Sequence, residues 1–317
     1  MAVLDKPTGK WHLLCVELSK LDKLRELLRS YGSCLVAYSG GVDSVFLAWV
    51  AHEVLGARAL AVIADSPSLP RREFAEAVAI AEQFHFPLRV VQTQEFDNPA
   101  YLANPNNRCY FCKQELFTEL APLARAEGFA VIAYGENASD IGDHRPGAKA
   151  AAEFEVRAPL KEAGLTKVEI RDLSAHFGLP TADKPQMACL SSRIPYGESV
   201  SPEKLQMIEQ AEYVLKDFGF YDVRVRHHEL SSALKDNTQH ATPVLRSSTA
   251  EGGRNTSPHH LARIEVGPSE LAKLLNDDVA SRVAAALKQI GYAHVTVDLQ
   301  GYRRGSMNEA VKESVHQ

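Results

Sequence analysis

The sequence lacks a long apolar run and a strong net charge of either sign. No hydrophobic stretch approaches the roughly 20 residues that a membrane-spanning helix requires. The first residues, Met1 to Lys6, have neither the basic flank nor the apolar core of a signal peptide. The net charge of −5 over 317 residues disfavours a protein that wraps nucleic acid. These absences predict a cytoplasmic protein without a membrane or nucleic-acid partner, and the length of 317 residues predicts about two globular domains.

Cysteine is also scarce, with five residues in the chain. In a reducing cytosol, cysteines more often bind metals or take part in catalysis than form disulfides. Cys15 and Cys34 lie among apolar residues, which is typical of a buried core position. Cys109, Cys112 and Cys189 lie in polar and cationic surroundings instead, so we consider these three for function.

The most informative stretch that is present runs Ala37-Tyr38-Ser39-Gly40-Gly41-Val42-Asp43-Ser44 between two apolar runs. This order predicts a strand, a glycine turn and a helix. Adjacent glycines allow a tight turn and a close approach of the backbone to a ligand. The start of the helix then presents free N–H groups and a positive dipole end to an anion. The stretch therefore predicts a pyrophosphate site, in which Asp43 is suited to hold a bridging Mg²⁺.

These residues resemble the PP-loop of ATP pyrophosphatases, which cleave ATP between the α and β phosphates. The spacing and the lysine of a Walker loop are missing. A plain small-residue turn is the alternative for a shorter Ser-Gly-Gly match. The residues that the resemblance assigns to the nucleotide are Ser39, Gly40, Gly41, Val42, Asp43 and Ser44.

Strand and helix patterns alternate along the first part of the chain, which predicts a doubly wound parallel α/β sheet. Ligands of such sheets bind at the carboxyl ends of the strands. We therefore expect Ala64 and Ser66, which end the second strand, to contact adenine and ribose. Gly135 follows the fourth strand and is expected at the same edge. The predicted strands are 34–36, 59–64, 88–91 and 130–133.

The predicted domains are a PP-loop domain over residues 1–184, a linker loop over 185–200 and a smaller α/β domain over 201–317. Between 231 and 260 the periodic pattern fails and small polar residues dominate. We expect a flexible insertion there, interrupting a hairpin. The elements predicted for the second domain are helices at 202–218 and 269–290 and strands at 221–225, 261–266 and 295–299.

A Cys-x-x-Cys pair, Cys109 and Cys112, stands at the start of a predicted helix. That position lowers the pKa of a thiol, and the charges of Arg108 and Lys113 are expected to lower it further. The pair alone supplies only two of the four ligands that zinc normally takes. Metal binding, redox chemistry and simple packing therefore all remain open for the pair by itself.

The third cysteine, Cys189, lies in a stretch with two prolines that we interpret as an extended loop. Lys184 and Arg193 flank it in sequence, and such cations favour a thiolate. A structural cysteine is more often set in an apolar helix or strand. We therefore predict that Cys189 has a function.

Two further stretches are candidates for a functional site. The first is the loop from Gly142 to Gly147, whose Asp, Arg and Gly residues, Arg145 among them, suit a site better than a core, and the plainer interpretation is a solvated loop. The second is the end of a strand at Arg224 to His228, for which a half-exposed strand is the plainer interpretation. The functional interpretation of that strand end is a site for phosphate or carboxylate groups.

Taken together, these pieces resemble the LarE family of ATP-dependent sulfur transferases over nearly the whole chain. The most specific part is Cys189-Leu190-Ser191-Ser192-Arg193-Ile194-Pro195-Tyr196-Gly197, and the insertion at 231–260 departs from the family pattern. The resemblance implies a substrate, pyridinium-3,5-biscarboxylic acid mononucleotide, whose carboxylates become thiocarboxylates on the route to the nickel-pincer nucleotide of lactate racemase. It also implies a homo-oligomer, commonly a hexamer.

The same resemblance assigns further residues. Lys113 joins the ATP-binding group, and the substrate's phosphate and carboxylates would meet arginines, whose forked donors suit both groups. The candidate arginines are Arg145, Arg193, Arg224, Arg226 and Arg263.

The implied chemistry is the adenylation of a carboxylate with ATP and Mg²⁺, followed by attack of a sulfur nucleophile. If Cys189 is the nucleophile, its sulfur stays on the product and dehydroalanine remains in the protein. Alternatively, Cys109, Cys112 and Cys189 hold a [4Fe–4S] cluster whose open iron carries a transferable sulfide. The Cys-x-x-Cys pair favours the cluster.

Two other enzyme classes share a PP-loop. Amide-forming synthetases of the GMP or NAD synthetase kind need no cysteine between the domains. Transfer-RNA thiolation enzymes should show a basic face and salt-dependent RNA binding. An ATP-sensing regulatory module would leave Cys189 without an explanation.

Overall fold

The computed structural model describes residues 9–140, 146–186, 188–230 and 259–303. The chain divides into two compact units, Met1–Cys189 and Leu190–Gln317. Arg145 and almost all of the predicted insertion at 231–260 lie outside the described residues.

The first unit is built on a four-stranded parallel sheet with the order β3-β2-β1-β4. Its strands are β1 (Cys34–Tyr38), β2 (Ala59–Asp65), β3 (Leu88–Gln92) and β4 (Val131–Tyr134). The chain runs outward from β1 to β3 and then returns to the other side of β1 for β4. The order in which strands are added to the sheet therefore reverses between β1 and β4, and a doubly wound sheet binds its ligand at such a point. The predicted fold class is confirmed.

Helices cover both faces of this sheet. On one face Val36 packs with Phe46 and Leu173, and on the other Leu35 packs with Phe117 and Ala150. Burial on both faces explains why the strands read as continuous apolar runs. The helices are α1 (Gly9–Tyr31), α2 (Val42–Leu55), α3 (Arg71–Gln83), α4 (Pro99–Leu102), α5 (Arg108–Glu127), α6 (Pro146–Glu153), α7 (Pro159–Glu162) and α8 (Lys167–His176).

The second unit is a three-stranded sheet with the order β5-β6-β7, antiparallel at the first pair and parallel at the second. Its core joins apolar side chains from the helices and the strands. The strands are β5 (Val223–Leu230), β6 (His259–Val266) and β7 (Tyr292–Val297), and the helices are α9 (Pro202–Asp217), α10 (Leu271–Leu274) and α11 (Asp277–Ile290).

The predicted helix at 269–290 is wrong in one respect, because the chain breaks between α10 and α11. Asn276 lies in the break, and its side-chain oxygen accepts a hydrogen bond of 3.2 Å from the N–H of Asp278. Asparagine at such a position starts a new helix by satisfying a free N–H group. Among the helices that the structure describes, none is long and apolar enough to cross a membrane.

Candidate active site

The PP-loop connects β1 to α2 and depends on glycine at its centre. Gly40 has a φ of +72°, and a Cβ built on it would lie 2.5 Å from the Cβ of Ala77 in α3. A φ in this region strains other residues, and the contact leaves no room for a methyl group. Only glycine therefore lets the loop lie this close to α3.

Two hydroxyl groups hold the loop in shape. The Oγ of Ser44 accepts a hydrogen bond of 3.1 Å from the N–H of Ser39 and donates one of 3.0 Å to the carbonyl of Gly41. Gly41 is extended and provides no side chain to cap α2. The first turn of α2 thus offers backbone donors to an anion at the edge where β1 ends.

Asp43, the predicted Mg²⁺ holder, forms an ion pair with Lys167, whose Nζ lies 2.7 Å from Oδ2. Lys167 is the first residue of α8 and is 124 positions away along the chain, so no local pattern pointed to this contact. A carboxylate at this point has the hard oxygen donors that Mg²⁺ prefers. The lysine balances the charge of that carboxylate in the structure.

Gly135 lies directly against the start of α2. A Cβ at this position would be 3.0 Å from the N of Ser44 and 3.1 Å from the Cβ of Asp43. The neighbouring Tyr134 has the Nζ of Lys113 over its ring, 4.4 Å from the ring centre. The structure thus brings Gly135 and Lys113, both predicted to bind ATP, to the end of β4.

The end of β2 carries the other predicted nucleotide contacts, Ala64 and Ser66. Ser66 is buried and donates a hydrogen bond to Glu95, and its Oγ lies 2.8 Å from that of Ser68. Glu95 is only 2% exposed. Its partnership with Ser66 was not predicted, because the residue lies in a polar stretch that reads as a loop. The contacts of Ala64 and Ser66 with adenine and ribose stay predictions.

Lys184, which flanks Cys189 in sequence, belongs to the surroundings of the PP-loop. Its Nζ lies 2.8 Å from carboxylate oxygens of both Glu73 and Glu76 in α3, and 3.5 Å from the carbonyl oxygen of Gly40. The lysine therefore pairs with carboxylates of α3.

The Cys-x-x-Cys thiols hold their protons more firmly than expected. Burial raises the pKa of Cys112 well above its ordinary value, and the nearby Cys189 and Glu95 raise it further. Cys109 is exposed at the surface, but desolvation of its sulfur and the proximity of Cys189 also raise its pKa, against the opposing charges of Arg108 and Lys113. The prediction of lowered pKa values is wrong for both thiols, because desolvation outweighs the cations.

A cation does contact Cys189, but it comes from α5. The Nη2 of Arg108 lies 3.9 Å from the Sγ of Cys189, 81 positions further along the chain. Arg108 is 3% exposed, and its Nη1 donates to the side chain of Asn104. The three candidate thiols and Arg108 thus lie within electrostatic range of one another in the first unit.

The thiols match a cluster in chemistry but not in arrangement. Three cysteines are the right kind of donor for an iron–sulfur cluster. Within the part of the chain that the structure describes, no group of three His, Cys, Asp or Glu side chains is placed to hold a metal ion. The described thiols as they stand therefore do not form a metal site.

In the second unit, two of the predicted substrate arginines form buried ion pairs. Nε and Nη2 of Arg193 donate to the two carboxylate oxygens of Glu212 at 2.8 and 2.9 Å. Arg226 makes the same forked contact with Glu265, at 2.9 and 2.7 Å. All four residues are buried. These guanidinium groups thus have protein carboxylates as strong partners.

The other two arginines have different surroundings. Arg263 has a side chain 34% exposed and lies 3.3 Å from Glu265 and 3.2 Å from Asp298. Arg224 stacks over the ring of Tyr302 at 4.9 Å, and burial lowers its pKa. The structure places all four arginines in this unit, while Arg145 lies outside the described residues.

The histidine that follows Arg226 was not predicted to be in the core. His227 is fully buried, with Nδ1 at 3.1 Å from the Oη of Tyr292 and Nε2 at 3.0 Å from Nδ1 of His260. Burial lowers the pKa of His227 to about 3, and the charge of a protonated His260 would lower it in the same direction. The cationic side chains of β5 thus include buried positions, such as Arg226 and His227, and partly exposed ones, such as Arg224.

The chain is similar to known proteins over nearly its whole length. No family model matches the chain. It is 40% identical over 293 residues to an uncharacterised protein of Synechocystis sp., covering 92% of this chain and 98% of that protein. It is 29% identical over 299 residues to the pyridinium-3,5-bisthiocarboxylic acid mononucleotide synthase of Lactiplantibacillus plantarum, covering 93% and 96%.

A more distant similarity is confined to part of the chain. One component of the glutamine-hydrolysing GMP synthase of Methanopyrus kandleri is 25% identical over 215 residues, which cover 62% of this chain and 67% of that protein. The partial match agrees with the α/β sheet and PP-loop of the first unit. The chain is therefore similar over nearly its whole length to LarE, and the partial match and the loop geometry support an ATP-using PP-loop enzyme.

Proposed function

We propose that the protein transfers sulfur to pyridinium-3,5-biscarboxylic acid mononucleotide at the expense of ATP. The product would be the bis-thiocarboxylic acid mononucleotide used to build the nickel-pincer cofactor of lactate racemase. The observation that carries this proposal is the group of Cys109, Cys112 and Cys189 within the unit that contains the PP-loop. The similarity over 93% of the chain to a synthase named for this product supports it.

In the first step the substrate carboxylate attacks the α phosphorus of ATP and pyrophosphate leaves, giving an acyl-adenylate. The N–H groups at the start of α2, with Ser39 and Ser44, bind the departing phosphates. Asp43 would hold Mg²⁺, which would supply positive charge to the phosphate oxygens. Glycine at 40 and 135 keeps the backbone close enough for this binding.

In the second step the sulfur of Cys189, as a thiolate, attacks the acyl carbon and AMP leaves with its electron pair, giving a thioester. Loss of the Cα proton of Cys189 to a base then lets the Cβ–S bond break. The electron pair of that bond leaves with the sulfur as a thiocarboxylate, and dehydroalanine remains in the chain. Each chain supplies one sulfur atom by this route.

A sulfide carried on a [4Fe–4S] cluster is the alternative donor, and it would let the enzyme turn over. We place the donor at Cys189 because, among the described residues, no group of three His, Cys, Asp or Glu side chains is placed to hold a metal ion.

The second unit supplies the proposed contacts to the substrate's phosphate and carboxylates. Arg263 is the strongest candidate, because about a third of its side chain is exposed (34%), and Arg224 on the neighbouring strand is the next. Arg193 and Arg226 are already paired with glutamates, so each would bind the substrate only if its guanidinium contacted the glutamate and the substrate at the same time. We further propose a cytoplasmic homo-oligomer, the hexamer of the family, which light scattering of the purified protein would test.

The experiment is a single-turnover reaction of anaerobically purified protein with ATP, Mg²⁺ and the mononucleotide. Thiocarboxylate product is expected in step with AMP and pyrophosphate, together with loss of one H₂S in mass from the Cys189 peptide. Cys189→Ser should still form pyrophosphate but no thiocarboxylate. Amide formed from ammonia, in place of thiocarboxylate, would instead identify an amide-forming synthetase.

Iron and acid-labile sulfide are measured on the same preparation. Stoichiometric iron that is lost in Cys109→Ala, with an intact Cys189 after turnover, would transfer the role of donor to a cluster. Binding of tRNA that weakens steeply with salt would favour the thiolation class instead.

A further inference from the structure

The guanidinium of Arg108 lies in a position that its sequence neighbours do not explain. It is buried, begins α5 and contacts the Sγ of Cys189 at 3.9 Å. Arg108 also hydrogen-bonds the side chain of Cys109. One fixed cation is therefore shared by two of the three thiols.

A second residue fixes this cation in place. The side-chain oxygen of Asn104 accepts a hydrogen bond from Nη1 of Arg108, and Asn104 is fully buried. The backbone of Asn104 has a φ of +51°, a region that non-glycine residues adopt rarely and asparagine more often than most. Glycine would adopt this φ without strain, but it has no side chain to accept the hydrogen bond from Arg108. The asparagine at position 104 is therefore explained by its contact with Arg108.

Position in the chain distinguishes Cys189 from the Cys-x-x-Cys pair. Cys189 comes from a different part of the chain, after α8, and meets the guanidinium at the start of α5. A buried guanidinium beside a sulfur stabilises negative charge on that sulfur.

We propose that Arg108, held by Asn104, is the positioning residue of the sulfur-transfer step and holds the sulfur of Cys189 in place through the contact of its guanidinium with Sγ at 3.9 Å. This inference rests on the proposed function. When the S–C bond to the acyl group forms and the bond to AMP breaks, the sulfur becomes neutral and Arg108 loses its anionic partner. When the Cβ–S bond then breaks, the departing thiocarboxylate is again an anion beside the guanidinium.

The test compares two alkylating reagents at one pH, with the full-length protein and quantification of the Cys189 peptide by mass spectrometry. Iodoacetate is an anion and iodoacetamide is neutral, so the ratio of their rate constants reports the local positive charge. In Arg108→Gln we expect this ratio to fall at least roughly fivefold, since fivefold is the effect of one charge about 4 Å away in water and Arg108 is buried. Arg108→Lys should retain most of the native ratio.

The matched control is Arg89→Gln, which removes an arginine of the same unit that pairs with Glu127 at the surface; its ratio should stay native. Asn104→Gly keeps the left-handed turn but removes the anchor of Arg108, so its ratio should also fall. This variant decides the question if Arg108→Gln does not fold. A native ratio in folded Arg108→Gln, or in Asn104→Gly, would overturn the inference.

The single-turnover assay separates this inference from the proposed function. We expect Arg108→Gln to slow thiocarboxylate formation while pyrophosphate release keeps its native rate, with recovery in Arg108→Lys. Equal rates of sulfur transfer in Arg108→Gln and native protein would overturn the inference alone. Absence of any sulfur transfer by the native protein, with the alkylation ratio behaving as described, would contradict the proposed function.

Discussion

The two units differ in how they arrange their polar groups. In the first unit, polar groups gather where strands end, and close backbone approaches at Gly40 and Gly135 keep that edge free of side-chain bulk. In the second unit, Arg193 and Arg226 each make a forked ion pair with a buried carboxylate. The first arrangement prepares donors for a ligand, whereas the second neutralises charge within the protein itself.

This contrast means that a cluster of arginines in a sequence is weak evidence for an anion site. Arginines on a strand are equally suited to bind carboxylates of the same domain, and those partners are distant in sequence. The PP-loop is stronger evidence, because Gly40 combines a positive φ with a close contact to α3 directly before the start of a helix.

The largest expected effect is on the stability of the second unit. Glu212→Ala leaves Arg193 as a buried cation without its forked partner, and breaking such a pair costs about 3–5 kcal/mol. Hydrogen exchange of the amides in β5 and β6, measured by mass spectrometry, should show the loss. The double variant Arg193→Met/Glu212→Leu removes both charges and should recover most of the lost stability. If the double variant is as unstable as Glu212→Ala, the loss does not come from the unpaired charge of Arg193.

The next largest effect is expected from replacing Gly40 in the PP-loop of the first unit. Gly40→Ala adds strain of about 1–2 kcal/mol at a positive φ, and its methyl group also meets Ala77. We expect release of pyrophosphate from ATP to be lost at nucleotide concentrations that saturate the native protein. Gly128→Ala is the matched control, since its φ is +74° with no atom within 4 Å of the added carbon. It should lower stability by about 1 kcal/mol and leave pyrophosphate release intact.

A smaller effect concerns the pH dependence of the second unit. His227 has a pKa of about 3 in the folded protein against 6.5 when exposed, so below pH 6.5 the unfolded state binds a proton that the folded state does not. Stability is therefore complete above that pH and falls as the pH decreases, by about 2 kcal/mol between pH 7 and pH 5. Urea unfolding at the two pH values measures this slope. His227→Gln, which cannot titrate, should have a flatter slope, and an unchanged slope would assign the pH dependence to other groups.

The smallest effect is expected at the surface of the second unit. Arg282 and Asp278 are exposed and 3.3 Å apart on α11. Removing this pair with Arg282→Ala should change the free energy of unfolding by less than about 1 kcal/mol. A change as large as that of Glu212→Ala would remove the distinction between buried and exposed pairs.

The sequence was sufficient for those features that depend on neighbours along the chain. The strand, turn and helix around Ser39 to Ser44, and the continuous apolar strands, follow from local pattern. The partners of Asp43 and Cys189 did not, because Lys167 and Arg108 lie 124 and 81 positions away. Only the folded sheet brings these groups together.

The thiols show a second limit of local reasoning. Arg108 and Lys113 stand beside the Cys-x-x-Cys pair in sequence, and counting those charges predicted lowered pKa values. Burial depends on helices and loops from other parts of the chain, and for Cys112 it dominates the outcome. The sign of a pKa shift could therefore not be obtained from the cations alone.

The tight contact of Gly135 with the first turn of α2 offers a means of controlling the enzyme. Gly135→Ala would place a methyl group 3.0 Å from the N of Ser44 in the first turn of α2 and would leave Cys109 and Cys112 themselves unchanged. Such a variant is expected not to bind the nucleotide, although it still carries its thiols. It would allow the cysteines to be loaded, labelled or oxidised in bulk while no ATP is consumed, and so give a stable reagent for studying the sulfur donor in isolation.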